Sequence, residues 1–445
     1  MMEIIAEMLH TLIALLASPF NHGMMQFALK FIPYVLFLEL PLYIFIILGI
    51  IRYFIRKDDE IPEKINYYPR VSCIVTCYSE GKDVALTIRS LTEQIYPGVI
   101  EIIPVVDGAV QNKETYEAAK QLQTYVERFT NRILKVIPKW QRGGRVSSLN
   151  TAMNMATGEV VMALDGDTSF DNNMVRDACL HFADPNVVGV AGSLRVRNVF
   201  QNLVTRLQGL EYLLSIHASK VGLSEFNVVN NISGAFGIFR RRFLEKIGGW
   251  DAGTAEDLDI TLRIKNYFGR YPNLKIIFEP KAMGHTDGPD TFWGLFNQRL
   301  RWDGDLYYLY VRKHALSFNP RLLGWKNLIK QMWTGLFLQL VMPFIIIFYS
   351  MYVFALYSAG FVLAVWVLVF LVYLAITLLF YLVYLSMLSE RRKEDIKLIW
   401  VIPLVPFFTF ALRVWNALAT LKEMITKSHL DSSMAPWWVL QKTKF

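Results

Sequence analysis

Val160-Val161-Met162-Ala163-Leu164-Asp165-Gly166-Asp167-Thr168 is the stretch whose reading decides the fold. An apolar run of strand length ends in two carboxylates one residue apart. Residues i and i+2 of a strand share a face, so the spacing predicts that Asp165 and Asp167 point together from its carboxyl end. Open α/β sheets bind ligands at that end. Two hard oxygen donors there suit Mg²⁺ or Mn²⁺ holding a diphosphate. The competing reading is an Asp-Gly turn capped by Asp, since a lone Asp-x-Asp is common by chance.

Upstream, Val71 to Thr76 reads as a buried strand, followed by the loop Cys77 to Gly81 and a helix over Val84 to Gln94. A second strand, Ile100 to Val106, ends at Asp107-Gly108. Thr115 to Phe129 reads as a helix, Ile133 to Ile137 as a strand and Arg145 to Met155 as a helix. This alternation argues for a parallel, nucleotide-binding sheet. Neither Gly-x-Gly-x-x-Gly after the first strand nor a Gly-Lys-Ser/Thr loop is present, which counts against NAD and P-loop chemistry. Downstream, Val187 to Ala191, Ala235 to Arg240 and Lys275 to Phe278 read as strands, and Leu203 to Val221 as a helix. Trp293 to Tyr310 has the spacing of a helix lying on a membrane surface, and Leu322 to Trp333 is a second candidate.

The chain of 445 residues is 53% hydrophobic with a formal net charge of +8. Its mean hydropathy of +0.31 exceeds that of an ordinary soluble protein, and the apolar residues concentrate at the two ends. Met1 to Phe20 carries Glu3, Glu7 and His10, and reads either as an interfacial helix or as a short span. Phe31 to Ile51 is long enough to cross a bilayer, and Arg52, Arg56 and Lys57 then place the middle of the chain in the cytosol. Gly335 to Tyr357, Phe361 to Leu388 and Leu398 to Thr420 are further spans. Pro403, Pro406 and Arg413 interrupt the last of them. Counting spans puts the C-terminus outside, whereas Lys422, Lys427, Lys442 and Lys444 favour the inside. A bent hairpin around the two prolines would reconcile the two. Cys73, Cys77 and Cys179 form no ligand cluster and read as reduced thiols. The basic balance fits lipid headgroups and a nucleotide. No run of five or more Lys/Arg points to nucleic acid.

Four features follow in order: Asp107, Asp165-Gly166-Asp167, Thr254-Ala255-Glu256-Asp257 and Gln298-Arg299-Leu300-Arg301-Trp302. Together they resemble the membrane-integrated processive family 2 β-glycosyltransferases, the cellulose, chitin, hyaluronan and poly-N-acetylglucosamine synthases, and most of all the last branch. The resemblance spans Val71 to Trp302. It implies a GT-A (Rossmann-like) α/β catalytic domain at 58–290 between membrane segments at 1–57 and 334–445, with interfacial helices at 291–333. It further implies an inner-membrane protein with a cytosolic catalytic domain and a divalent ion, Mg²⁺ or Mn²⁺. A UDP-sugar donor and a growing polysaccharide acceptor follow from it, with export or accessory subunits as further partners. UDP-GlcNAc is the first choice of donor and UDP-glucose the second.

By the same resemblance Glu80 and Asp107 contact the uridine. Arg145, where the family often has Lys, approaches the uracil or diphosphate. Asp165 contacts the nucleotide, Asp167 ligates the metal, Asp257 is the general base, and Glu256 orients the acceptor. A base is needed because the attacking hydroxyl must lose its proton. The other reading of Asp257 is a carboxylate stabilised by a helix N-terminus. Gln298, Arg301 and Trp302 share a helical face. Arg301 would neutralise the departing diphosphate and Trp302 would stack on the acceptor sugar, although both residue types also anchor interfacial helices. Asp303 and Asp305 sit two apart on the same helix and cannot share a face. His285 is either a third metal ligand or a loop residue braced by Asp287. The family's Phe-x-Val-Thr gating pattern is absent. A lipid-phosphate glycosyltransferase and a non-catalytic transporter are the alternatives, and the transporter would not need the carboxylate pairs.

Overall fold

The computed structural model describes residues 39–59, 66–251 and 255–427. Residues 1–38, Thr254, Lys442 and Lys444 lie outside the described residues, so the readings placed on them are not taken up below. Among the described residues nine strands form one sheet in the order β3-β2-β1-β5-β8-β7-β9-β6, with β4 also paired to β2. They are β1 (Val71–Cys77), β2 (Ile100–Asp107), β3 (Arg132–Leu134), β4 (Ile137–Lys139), β5 (Val160–Asp165), β6 (Ser169–Phe170), β7 (Val187–Val196), β8 (Phe236–Arg240) and β9 (Lys275–Thr286). The helices used below are α1 (Leu40–Asp59), α2 (Val84–Thr92), α3 (Lys113–Gln121), α4 (Gly144–Met155), α5 (Met174–Leu180), α6 (Leu203–Glu211), α7 (Ser219–Ser224), α8 (Glu256–Lys265), α9 (Phe292–Tyr307), α10 (Pro320–Lys330), α11 (Met342–Leu356), α12 (Ala359–Met387) and α13 (Val405–Thr426).

The first half of the sheet is parallel. Val71 pairs with both Ile100 and Val160, and every residue of β1 is buried. A strand covered on both faces needs a largely apolar run, which Val-Ser-Cys-Ile-Val-Thr-Cys supplies, with Ser72 donating to Glu101 and Thr76 to the Leu164 carbonyl. Each buried Val, Ile or Leu there stabilises the fold by about 1.5–3 kcal/mol. The parallel reading of the strands up to β5 holds, and the second half of the sheet departs from that pattern. β8 runs antiparallel to both β5 and β7, and β6 runs antiparallel to β9. The reason is topological. The chain between β7 and β8 folds as α6, the π-helical turn Tyr212–Ala218 and α7, and then re-enters the sheet in the gap beside β5. The strand expected over Ile133 to Ile137 is two short strands, and that expected to end at Phe278 runs on to Thr286.

Among the described residues three helices are long and apolar enough to cross a membrane: Pro320–Leu356, Ala359–Met387 and Arg392–Thr426. α10 therefore continues into the first of them rather than standing apart as an interfacial helix. The third bends at Pro403, which lies in a 3₁₀ segment (Ile396–Leu404), and Pro406 then occupies the first turn of α13, where its missing N–H costs nothing. Both ends of this segment touch the catalytic unit. Asp395 pairs with Arg195 of β7 and accepts from Ser389 Oγ at 2.7 Å. At the other end Arg312 donates to the Met424 carbonyl at 3.5 Å. α9 lies along α13, with the Trp415 indole N–H donating to the Phe296 carbonyl at 2.7 Å.

Candidate functional site

The site lies along the carboxyl ends of β1, β2 and β5. β5 stops at Asp165, and Gly166-Asp167 form a turn. The pairing of the two carboxylates therefore comes from the turn and not from a shared strand face, which corrects the expectation. The turn is tight. A side chain on Gly166 would lie 3.0 Å from the Thr76 carbonyl and 3.1 Å from the Glu80 carboxyl, so glycine fits where other residues crowd. Glu80 is enclosed beside it, and its Oε2 is buried without a hydrogen-bond partner. Burial first, and the charges of Asp167 and Asp165 after it, push the Glu80 carboxyl up to about 7.

Asp165 is held by Arg145 of α4, which also donates to Thr76 Oγ1 at 2.7 Å, Glu256 Oε1 at 2.5 Å and the Gly234 carbonyl at 2.6 Å. This one guanidinium ties the end of β5 to the start of α8. Its five donors in a rigid fork make such bridging possible where a lysine could not. Asp167 has no ion pair among the described residues, and only Thr168 Oγ1 donates to it, at 3.2 Å. It is open to solvent on one side. Even so, the surrounding walls and then Asp165's charge push its carboxyl up to about 6.

A free carboxylate beside a second one, with an orphaned carboxylate oxygen behind them, is a donor set of hard oxygens that fits a divalent cation. Among the described residues no group of three or more His, Cys, Asp and Glu side chains is arranged to hold one. That matches Mg²⁺-type sites, where one or two carboxylates are completed by substrate phosphates and water.

Asp107 is buried and fully engaged. It accepts from Lys139 Nζ at 2.8 Å and from the Gly143 and Gly144 N–H groups at 2.9 and 2.8 Å. It braces the loop that opens α4, so its reach toward a uridine is through that loop. Sequence reasoning missed Tyr78 and Arg142. The Arg142 guanidinium stacks 4.6 Å over the Tyr78 ring, whose hydroxyl is buried and unpartnered. The pair forms a flat wall of the cleft beside Glu80. Arg197 was also missed; it donates to the Asp167 carbonyl at 3.2 Å.

Glu256 and Asp257 open α8. Asp257 Oδ2 accepts from Asn231 Nδ2 at 3.0 Å and the Gly234 N–H at 3.2 Å, and its Oδ1 accepts from the Leu258 N–H at 2.8 Å. Neutral donors alone hydrogen-bond it, which orients the carboxylate without an ion pair. Glu256 is buried. Burial and the neighbouring charge of Asp257 push it up to about 7, against the pull of Arg145. Gly234 belongs to both sets, since a side chain there would come within 2.9 Å of Glu256 Oε1.

α9 carries Gln298, Arg301 and Trp302. Gln298 accepts from Gln208 of α6 at 3.0 Å. Arg301 is half-buried and forms no ion pair among the described residues. Trp302 is 37% exposed and lies under the Arg299 guanidinium at 4.7 Å. Arg299 ties α9 to Glu211 at 2.5 Å. Asp303 and Asp305 have different surroundings, Asp303 beside Arg299 and Asp305 buried. Tyr212, next to Glu211, feels the charges of both Arg299 and the two β5 carboxylates, so the α6 turn links α9 to the donor cleft.

His285 pairs across to Ser169, two residues past Asp167, so it does lie at the same sheet edge. Its Nε2 shares a hydrogen bond with Asp171 at 2.8 Å. The bracing partner is thus Asp171, and Asp287 instead pairs with Arg197 at 2.7 Å. The structure does not bring His285 into a ligand group with the β5 carboxylates.

Residues 72–248 match the family described as Glycosyl transferase family 2. Poly-beta-1,6-N-acetyl-D-glucosamine synthase of Staphylococcus epidermidis is 28% identical over 282 residues, 60% of this chain and 64% of that protein. The protein of the same name from Staphylococcus aureus strain COL is 28% identical over 253 residues, 57% of this chain and 58% of its own. The chain thus matches less than two thirds of the length of these relatives. A mannosyltransferase from Pyrobaculum calidifontis, solved with GDP-Man and Mn²⁺, superposes with a TM-score of 0.52 at 18% identity. The superposition covers 87% of this chain and 99% of that one. The matched region therefore has the GT-A fold of that transferase, joined here to apolar helices of membrane-spanning length.

Proposed function

We propose that this family 2 domain is an inverting, metal-dependent glycosyltransferase that polymerises a UDP-sugar into a β-linked polysaccharide and passes the chain through its own membrane helices. UDP-GlcNAc is the preferred donor, by the names of the relatives, with UDP-glucose second. The observation that carries the reading is Asp257. It faces the cleft with its carboxylate oriented by neutral donors, on the far side of the Arg145–Glu256 contact from Asp165. Inversion is a single displacement, and the acceptor hydroxyl needs a base placed opposite the leaving group. Asp257 would take that proton. Glu256, locked to Arg145, would hold the acceptor. Asp167 and Asp165 would hold Mg²⁺ or Mn²⁺, which supplies positive charge to the departing diphosphate. Tyr78 and Glu80 would bound the uracil, and Arg301 and Trp302 would meet the diphosphate and acceptor from α9.

In this reading the protein sits in the inner membrane with the domain in the cytosol. The basic residues Arg52, Arg56 and Lys57 in the last turns of α1 and the docking of the 389–395 loop on β7 support it. The test is product length on a gel after incubation with radiolabelled UDP-GlcNAc, UDP-glucose, UDP-GlcA and UDP-GalNAc. A long polymer from one donor supports the reading. A single sugar on an extractable lipid makes the protein a lipid-phosphate transferase, and no turnover of any donor removes the enzyme reading.

A further inference from the structure

Arg197 stands just past β7, beside the turn that carries Asp167, yet among the described residues it forms no ion pair with that carboxylate. Its guanidinium faces Asp287, the residue after β9. Nε donates to Asp287 Oδ1 at 3.0 Å and Nη2 to Asp287 Oδ2 at 2.7 Å. Toward the turn, Nη2 also donates to the Asp167 carbonyl at 3.2 Å, and Nη1 donates to Ser169 Oγ at 3.4 Å. A carboxylate met at two points is among the strongest partners of a guanidinium. That partner here is Asp287, while Asp167 is met only at its backbone oxygen.

An exposed ion pair usually contributes little, because two long side chains must be ordered to make it. The side chains of Arg197 and Asp287 are 34% and 55% exposed, so stability alone is a weak reason for the pair. Its order comes from the backbone around it. The Arg197 N–H donates to the Thr286 carbonyl at 2.8 Å. Asn198 donates to the Gly288 carbonyl at 2.9 Å and accepts from the Gly288 N–H at 2.8 Å. Asn202 donates to the Asp290 carbonyl at 2.7 Å. Residues 197–202 are thus zipped onto 286–290. Gly288 permits the close approach, since a side chain there would collide with Gln208 Oε1. The zipper sets Asp287 against Arg197 before any ion binds.

The alternative partner is close. Nη2 already touches the Asp167 carbonyl, so the carboxylate of the same residue lies within a rotation of the Arg197 side chain. A guanidinium freed from Asp287 would have an empty fork and that carboxylate in reach. Arginine stays charged at any pH the protein meets, so deprotonation cannot remove it. A divalent ion would then have to displace a charged, two-point partner before it could bind. With Asp287 in place there is no such competitor. Only Thr168 Oγ1 donates to the Asp167 carboxylate, at 3.2 Å.

We propose that Asp287 is a positioning residue for the metal site: it holds Arg197 on the backbone of the Asp167 turn and keeps the guanidinium off the Asp167 carboxylate. The role rests on the reading of Asp167 as a metal ligand. Asp287 itself touches neither metal nor substrate; it acts through Arg197.

The test is a calorimetric titration of Mn²⁺ into the full chain in phosphatidylcholine nanodiscs, with UDP in excess and no sugar donor, so that no turnover is involved. Asp287→Ala should weaken Mn²⁺ binding by about tenfold or more, because it releases the competitor. Arg197→Met should stay within about threefold of the parent, since it removes the brace and the competitor together. The double variant Arg197→Met/Asp287→Ala should bind as Arg197→Met does, so that loss of the arginine rescues loss of the aspartate. All three variants break the same surface pair and should melt alike, which separates the order of affinities from any loss of fold. A merely structural pair would give equal losses in all three. Asp287→Ala binding Mn²⁺ as well as Arg197→Met does, or a double variant as weak as Asp287→Ala, would overturn the role. Asp167→Ala with an unchanged titration would overturn the metal reading and this role with it. Asp167→Ala that loses the titration, with Asp287→Ala still binding as the parent does, would overturn this role alone.

Discussion

The carboxylates at the end of β5 and those at the start of α8 are the same chemical group in opposite circumstances. At β5, Asp165 is paired with Arg145, while the Asp167 carboxylate forms no ion pair among the described residues, has Arg197 only at its backbone carbonyl, and lies beside a second negative charge and the orphaned Glu80. At α8, Glu256 takes Arg145's other side and Asp257 is held by an amide and two backbone N–H groups. The difference teaches what each pair can do. Crowded anions attract a cation, while a carboxylate held by neutral donors keeps its aim and remains able to accept a proton. Arg145 makes the two pairs one system.

The most severe way to break the contrast is to remove the base. Asp257→Asn keeps the shape and the hydrogen bonds to oxygen, so Mn²⁺-dependent UDP binding should stay within about twofold. Transfer should fall by about 10²–10⁴-fold. A variant retaining a tenth of parental turnover would take the base role away from Asp257. Next is Asp167→Ala, which should weaken metal-dependent UDP binding by about tenfold or more, about 1.4 kcal/mol. Calorimetry showing an unchanged Mn²⁺ requirement would sink the metal assignment.

Arg145→Lys sharpens the comparison, because an ammonium cannot reach both carboxylates in a fork. Turnover should drop about tenfold and the melting temperature should fall, in line with about 1–2 kcal/mol for a lost charged hydrogen bond. Equal stability would mean that the two pairs are independent.

A smaller effect is the proton count. The Asp167 and Glu80 carboxyls are raised in the folded protein, to about 6 and about 7. Their contribution to stability is therefore present in full below the ordinary carboxylate range and is lost as pH rises through those values. A metal needs Asp167 ionised. Mn²⁺–UDP binding at pH 5.5 should release on the order of one proton, and almost none at pH 8. Calorimetry in buffers of different ionisation enthalpy reads this directly, and no release at pH 5.5 would remove the crowding of the β5 pair. The smallest expected effect is His285→Ala. Loss of the Asp171 contact should cost about 1 kcal/mol of stability and leave the Mn²⁺ titration unmoved. A higher Mn²⁺ requirement in the folded variant would restore His285 as a ligand.

Much of the site was legible because its motifs are local. The Asp-x-Asp after an apolar run, the Glu-Asp pair before a helix and Gln298, Arg301 and Trp302 on one helical face are each decided within a few residues. Tyr78, Arg142, Arg197 and Asn231 had no such signature. Each enters the site from an element whose position depends on a distant strand. The bracing partner of His285 was misassigned for the same reason: Asp171 reaches it through the β6–β9 bridge, 114 residues away in sequence.

The sequence by itself determined which segments are strands and apolar helices, because hydrophobic period and length are local properties of the chain. It also determined the chemistry on offer, since carboxylates, a guanidinium and aromatics stand at the ends of those segments. Only the tertiary structure decided that β8 enters antiparallel and that Asp165 and Asp167 pair through a turn. It alone decided that Arg145 joins Asp165 to Glu256. Those outcomes depend on which distant surfaces exclude water together, and no window of sequence contains both surfaces.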